Sequence, residues 1–261
     1  MIIDKFFMDI LTLKGELIYR GYSERTCQIY ISTVKDFLET TGKEIIKIRK
    51  EDVIRYLDKQ GEKVSKNTIL IKLNALELFF EEVLGLDITK DIYKYKREYK
   101  YKLMTMKEIE TVIALSRDRE RLMYNLMKET GIISEEIGMI KVEDLKCADK
   151  QWFLEVEDIK YNISTDLARN MYNYIEKHRI QEEIFLGRKK TGLHGTVIRK
   201  KFREKTEEVL GIKYGLNEMR HGIALEMWKR GEVDKVTEYL RNKSKASIKQ
   251  YFKNFGYDLQ Y

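Results

Sequence analysis

Residues 215–251 read GLNEMRHGIALEMWKRGEVDKVTEYLRNKSKASIKQY. Met219, Ile223 and Met227 recur at four-residue steps, the spacing of one apolar face of a helix. Arg220 falls in the first turn of that helix. The positive end of the helix dipole disfavours a cation there, and a bound anion would account for it. Tyr251 stands nine residues after Asn242. Taken alone, a tyrosine near a chain end is an ordinary core or surface residue.

Upstream, helical spacing runs through Leu167, Met171 and Ile175 and again from Val197 and Ile198 through Phe202 to Val209. Between Trp152 and Ile163 the pattern changes. WFLEV and IKYNI are rich in β-formers on either side of Glu157 and Asp158, which predicts a small antiparallel hairpin. Thr105 and Glu108 form a capping box ahead of Ile109, Val112 and Ile113. A helix from Arg119 to about Glu129 should stop at Gly131, with Ser134 capping the short helix SEEIGMI.

A separate helical block runs from about Ser23 to Gly85. Ile29, Tyr30, Val34, Phe37 and Leu38 form one stripe, Val53, Ile54 and Leu57 sit on a short helix, and Ile69, Leu73, Leu76, Phe80 and Val83 make a third face. The fold class expected is mainly α. Residues 1–87 should be an N-terminal bundle of about four helices, residues 88–102 a linker, and residues 103–261 a mostly α domain with a minor β element.

Composition narrows the function classes. The 261 residues carry 50 Lys+Arg against 43 Asp+Glu, a net charge of +7. The excess is concentrated at Lys90–Lys102, KDIYKYKREYKYK, where cations alternate with tyrosines. Such a stretch suits a phosphate backbone, because the charges displace counterions while phenols pack on sugars or donate to phosphate oxygens. No uncharged apolar run is long enough for a membrane span and no signal peptide opens the chain, so a cytoplasmic protein is expected. Cys27 and Cys147 have neither disulfide nor zinc-ligand spacing.

Five patterns together resemble the tyrosine recombinase, or phage integrase, family. YSERTCQIYISTVKDFLE and VSKNTILIKLNALELFFEEVLG are similar to helices of its SAM-like core-binding domain. TGIISEEIGMIKVEDL (Thr130 to Leu145) resembles TGLRISELLxLxWxDI, residues 215–231 resemble HxLRHTFATxLxxxG, and EYLRNKSKASIKQY resembles ELLGHxSIxTTxxY. The resemblance implies a chain that clamps duplex DNA, then cuts and rejoins strands through a 3′-phosphotyrosine, with no metal and no cofactor. Tyr251 falls at the nucleophile, Arg220 at the second arginine, His221 at the histidine that follows it, and Lys160 at the hairpin lysine that protonates the leaving oxygen. Asn217 and Asn242 occupy positions of two histidines. The expected DNA-binding surface comprises Lys94, Lys96, Arg97, Lys100 and Lys102 of the basic run, together with Lys66, Lys72 and His221.

Departures from the pattern bear on activity. The first arginine is replaced by Ile133, and asparagine can donate a hydrogen bond but cannot carry charge or exchange a proton near neutral pH. Losing a charge-neutralising arginine can slow phosphoryl transfer roughly 10³- to 10⁵-fold. An active enzyme therefore needs a replacement cation from elsewhere in the chain, for which Arg117, Arg119 and Arg121 are near enough in sequence, or from a neighbouring protomer. The alternative is an inactive DNA-binding relative acting as an accessory factor at a recombination site. Partners implied are double-stranded DNA and further copies of the same chain, four in a synapse.

Overall fold

The computed structural model describes residues 6–94, 102–187, 191–241, 244–253 and 255–257. The chain divides into two compact units, residues 1–98 and 99–261.

In the first unit, α1 (Phe7–Tyr19), α2 (Glu24–Thr41), α3 (Lys50–Gly61) and α4 (Lys66–Glu77) enclose one core. The Ser23 and Ser65 hydroxyls cap α2 and α4 by accepting the amides of Thr26 and Thr68, both at 3.3 Å. At the head of α3 the Asp52 carboxylate accepts the Arg49 N–H at 3.0 Å, and the Lys43 ammonium at 2.7 Å holds its pKa below the usual range. The chain leaves α4 through a π turn, Leu78–Val83, which swings Phe79 and Phe80 into the core. There Phe80 meets Phe37 edge-on, centroids 5.7 Å apart.

Two expectations on this unit are corrected. Ile29 and Ile54 do not belong to the buried stripes: they are 40 % and 37 % exposed, one residue to the solvent side of Tyr30 and Val53. Helix α1 lies before the expected start at Ser23. It buries only Leu13 and Leu17, while Phe7, Met8, Leu11, Ile18 and Tyr19 are exposed, so it offers a weak periodic signal.

The second unit begins with α5 (Met106–Ala114), opened by the expected capping box: Glu108 accepts the Thr105 N–H at 2.7 Å, and Thr105 accepts the Glu108 N–H at 3.3 Å. Next comes α6 (Asp118–Thr130), closed by Gly131 at φ 69°. Gly131 is needed twice over, since a Cβ there would also run into the carbonyl oxygen of Tyr239. Helix α7 (Ser134–Ile137) is capped differently from expectation. Glu136 reaches back to the Ile133 N–H at 3.0 Å, which leaves the Ser134 hydroxyl inside the first turn, bonded to Glu135 at 2.8 Å.

Strands β1 (Leu145–Ala148), β2 (Gln151–Val156) and β3 (Ile159–Ile163) form an antiparallel sheet in that order, with Leu154 opposite Tyr161 and Glu155 opposite Lys160. Both connections are two-residue turns with positive φ at each residue, Asp149–Lys150 and Glu157–Asp158, the geometry that matches strand twist. The sequence reading anticipated β2 and β3 but not β1, whose last three residues are all exposed.

The remaining helices are α8 (Thr165–His178), α9 (Gly195–Leu210), α10 (Leu216–Lys229), α11 (Val233–Leu240) and α12 (Lys245–Lys253). One core joins them, including Met123, Tyr124, Leu154, Met171, Phe202 and Phe252. Helix α10 lies hard against the segment before α5, where a Cβ on Gly222 would collide with the Met104 carbonyl. That contact fixes the rotation of α10, and with it the direction in which Arg220 and His221 leave the helix.

Candidate active site

Arg220 and His221 leave α10 as neighbours. Met219 and Ile223 anchor the helix on its buried side, so that Arg220 is held at the boundary of the core. One Arg220 amino group (Nη2) donates to the Tyr239 carbonyl at 3.0 Å, and its buried Nε has no hydrogen-bond partner among the described residues. Burial lowers the Arg220 pKa, and the charge of Arg241 adds to the effect.

His221 meets the candidate nucleophile. The Tyr251 hydroxyl on α12 is 2.8 Å from His221 Nδ1, and the two rings lie 4.5 Å apart. Phe255 and Phe252 flank the phenol, with centroids at 4.9 and 5.7 Å. Burial, reinforced by Arg220, depresses the His221 pKa to about 4, so the imidazole is neutral at physiological pH. In the tautomer protonated on Nε2, the Tyr251 O–H donates to Nδ1, and the ring is placed to receive the phenol proton.

On the other side of Arg220 lies Glu136, almost fully buried. Its carboxylate accepts both amino groups of Arg241, the second at 3.1 Å, together with the Tyr161 hydroxyl at 2.9 Å and the Ile133 N–H at 3.0 Å. Burial, strengthened by the neighbouring carboxylate, raises the Tyr161 pKa, so the phenol stays protonated and donates. For Arg241, burial opposes the charge but Glu136 outweighs it, and the net pKa is raised. Arg241 caps α11 in the left-handed region, φ 52° and ψ 40°, where a side chain costs roughly 1–2 kcal/mol relative to glycine.

Of the residues singled out in the sequence, His221 and Tyr251 are thus brought into contact, and the Arg220 charge bears on His221. Asn217 lies one turn before Arg220 on α10, exposed and with no side-chain hydrogen bond among the described residues. Asn242, Lys96, Arg97 and Lys100 lie outside the described residues. Lys160 is not placed with the arginines. It projects from the opposite face of β3 to Tyr161, its ammonium 3.9 Å from the centre of the Phe153 ring. In the first unit, Lys66 is exposed at the start of α4, Lys94 pairs with Glu77 at 2.8 Å, and Lys72 reaches the Tyr56 hydroxyl at 3.2 Å. Lys102, in the second unit, is exposed.

The structure also corrects the candidates for a replacement cation. Arg117, Arg119 and Arg121 sit at the start of the 13-residue α6, about 20 Å from Ile133 at 1.5 Å per residue. Two of them are committed there, Arg119 to the Leu186 carbonyl and Glu120, Arg121 to the carbonyls of Ala114 and Ser116. Sequence reasoning missed Glu136, Tyr161 and Arg241. The available signal was an arginine standing where the resembling pattern ELLGH has glycine.

Among the described residues no cluster of His, Cys, Asp and Glu could hold a metal ion, and no helix is long and apolar enough to cross a membrane. Comparison with known proteins gives a consistent outcome. The chain is 25 % identical over 252 residues to a tyrosine recombinase of Pseudothermotoga lettingae, covering 87 % of this chain and 86 % of the relative. Its fold is similar to that of a lambda integrase dimer bound to a COC′ core site, with TM-score 0.75, 16 % identity, and 98 % and 79 % of the two chains covered. A XerH site-specific recombinase in a post-cleavage complex with a palindromic difH substrate gives TM-score 0.71 at 17 % identity, over 90 % of this chain and 78 % of that one. Residues 10–90 match the phage integrase N-terminal SAM-like domain and residues 102–256 match the phage integrase family itself, to which this chain therefore belongs.

Proposed function

We propose that the protein is a site-specific DNA recombinase that cuts and rejoins duplex DNA through Tyr251, without metal or cofactor. The observation that carries this reading is the hydrogen bond from the Tyr251 hydroxyl to the imidazole adjacent to Arg220. It supports the reading because a phenol hydroxyl bonded to a neutral imidazole, with a guanidinium next in sequence, suits an oxygen nucleophile with its proton acceptor. In the forward step the phenol oxygen bonds to phosphorus while the bond to the 5′ oxygen breaks. The phenol proton passes to His221, the leaving 5′ oxygen takes up a proton, and the enzyme retains a 3′-phosphotyrosine. Arg220 stabilises the charge that builds on the non-bridging oxygens. A phosphodiester in this site would raise the His221 pKa by opposing Arg220, improving the imidazole as a base as the substrate binds.

Reversal of the same step by a 5′ hydroxyl from another strand rejoins DNA. Exchange needs two duplexes and more than one active site, so the working form we propose is a multimer on DNA, four copies in a synapse. The exposed cations Lys66 and Lys102, and the run to which Lys94 belongs, would supply sequence-independent phosphate contacts. The protein would then be a cytoplasmic, DNA-associated one.

A nicked duplex whose cleaved fragment diffuses away traps any covalent intermediate. The expected result is a protein–DNA adduct that Tyr251→Phe abolishes. Tight, salt-sensitive binding with no adduct would favour the alternative, an accessory relative in which Ile133 marks lost catalysis.

A further inference from the structure

Ile133 leaves the site one guanidinium short of the pattern it resembles, and the structure shows another guanidinium beside the same backbone. Building on the strand-cleavage reading above, we propose that Arg241 is a catalytic residue: it supplies the second phosphate-binding guanidinium, entering from the end of α11 instead of from residue 133.

Position is the first argument. The Ile133 N–H and the two amino groups of Arg241 bond to one and the same carboxylate, that of Glu136. The guanidinium therefore lies within a carboxylate's width of the backbone at residue 133. A side chain grown from residue 133 and the one that arrives from residue 241 thus compete for the same neighbourhood.

Charge balance is the second. Arg220 and Arg241 are close enough that each charge bears on the Tyr161 hydroxyl, and that of Arg241 bears on Arg220 as well. Among the described residues a single carboxylate, Glu136, stands between them, while His221 is neutral. The corner holds one more positive charge than negative in a partly buried setting, an arrangement that is unfavourable unless an anion completes it. A phosphodiester has the one negative charge required.

Hydrogen-bond capacity points the same way. A guanidinium has five N–H donors in a fixed fork, and the pairing with Glu136 engages one on each amino group, leaving three. Arg220 adds a buried Nε without a partner among the described residues. Arg199, also near residue 133, donates through one amino group to Ser134 and to Glu135, with which it forms an ion pair of its own. Arg241 also holds a left-handed backbone that glycine adopts without strain, so the side chain is present despite its backbone and not because of it.

The test uses the full chain and nicked duplexes built on the sequence that the wild-type protein selects from a random pool. Arg241→Ala alone would strand the Glu136 charge and could unfold the site, so it is made together with Glu136→Gln, with Glu136→Gln as control and a melting curve for each. The expected result is a folded E136Q/R241A protein that forms adduct 10³- to 10⁵-fold more slowly than E136Q. A relocation variant, I133R/R241G, should recover the rate to within about tenfold of wild type, as an arginine acting only as a strut for Glu136 would not predict. A folded E136Q/R241A protein within threefold of E136Q overturns the proposal, as does a folded I133R/R241G protein no faster than E136Q/R241A. Should the wild type form no adduct, the strand-cleavage reading falls, and Arg241 is judged by binding alone. Loss of one phosphate contact lowers the slope of log K against log salt by about 0.9 between E136Q and E136Q/R241A, and an unchanged slope overturns the assignment.

Discussion

Each unit of the molecule carries a carboxylate joined to a tyrosine and a cation, and the two clusters behave differently. In the first unit Asp36 accepts the Tyr56 hydroxyl at 2.5 Å, and Lys72 lies 3.2 Å from the same hydroxyl and 3.8 Å from the carboxylate. One negative and one positive charge close on each other. In the second unit Glu136 accepts Tyr161 and the Arg241 fork, but Arg220 stands beside them with a buried Nε unpaired. The first cluster is complete without a ligand, whereas the second carries a surplus charge and spare donors. That difference, not the residue types, separates a network that braces a fold from one that awaits a substrate.

The largest effect should follow from removing the surplus charge itself. Arg220→Ala is expected to slow adduct formation on the nicked duplex by roughly 10³- to 10⁵-fold, with binding of intact duplex much less affected. Equal losses in binding and in rate would mean that Arg220 acts in ground-state binding only, and the two clusters would differ less than their charges imply.

How far this contrast was legible in the sequence depends on the range of the interactions. Gly131, the Thr105–Glu108 box and the β2–β3 hairpin are local signals, each contained within a few residues, and all three are present in the structure. Tyr251 and Arg220 could be placed because their spacing resembles a family pattern. The Arg241–Glu136 pair spans 105 residues, and in a chain with 50 Lys+Arg no composition or periodicity singles out one arginine as the partner of one glutamate. The Ser134 cap is absent because the helix starts one residue earlier: Ile133 is the N-cap, its N–H is accepted by Glu136, and Ser134 falls inside the first turn. Lys160 was chosen by element alone, yet strand alternation puts it on the face away from Tyr161.

His221 offers an effect of intermediate size. Its folded pKa is about 4, below the ordinary 6.5 of an unfolded histidine, so the unfolded chain binds the proton more readily. The stability this contributes is fully present above pH 6.5 and is lost as the pH falls toward 4. The shift corresponds to about 3 kcal/mol at most. Urea midpoints measured between pH 7 and 4 should fall more steeply for the wild type than for His221→Gln. Parallel curves would show that burial beside Arg220 does not hold the imidazole neutral, and would count against its accepting the phenol proton.

The smallest effect should come from the closed cluster. Lys72 faces both Asp36 and the Tyr56 hydroxyl, and its side chain is only 17 % exposed. If these partners hold it fully, Lys72→Met lowers stability by about 0.5–1 kcal/mol, read as a lower urea midpoint at unchanged slope. The salt dependence of DNA binding would then stay the same, in contrast to Lys66→Ala, which removes an exposed cation at the head of the same helix. A fall of about 0.9 in the salt slope for Lys72→Met would show that phosphate draws the ammonium away from Asp36. The first cluster would then also be a binding element, its neutrality a resting state that DNA exchanges for a better anion.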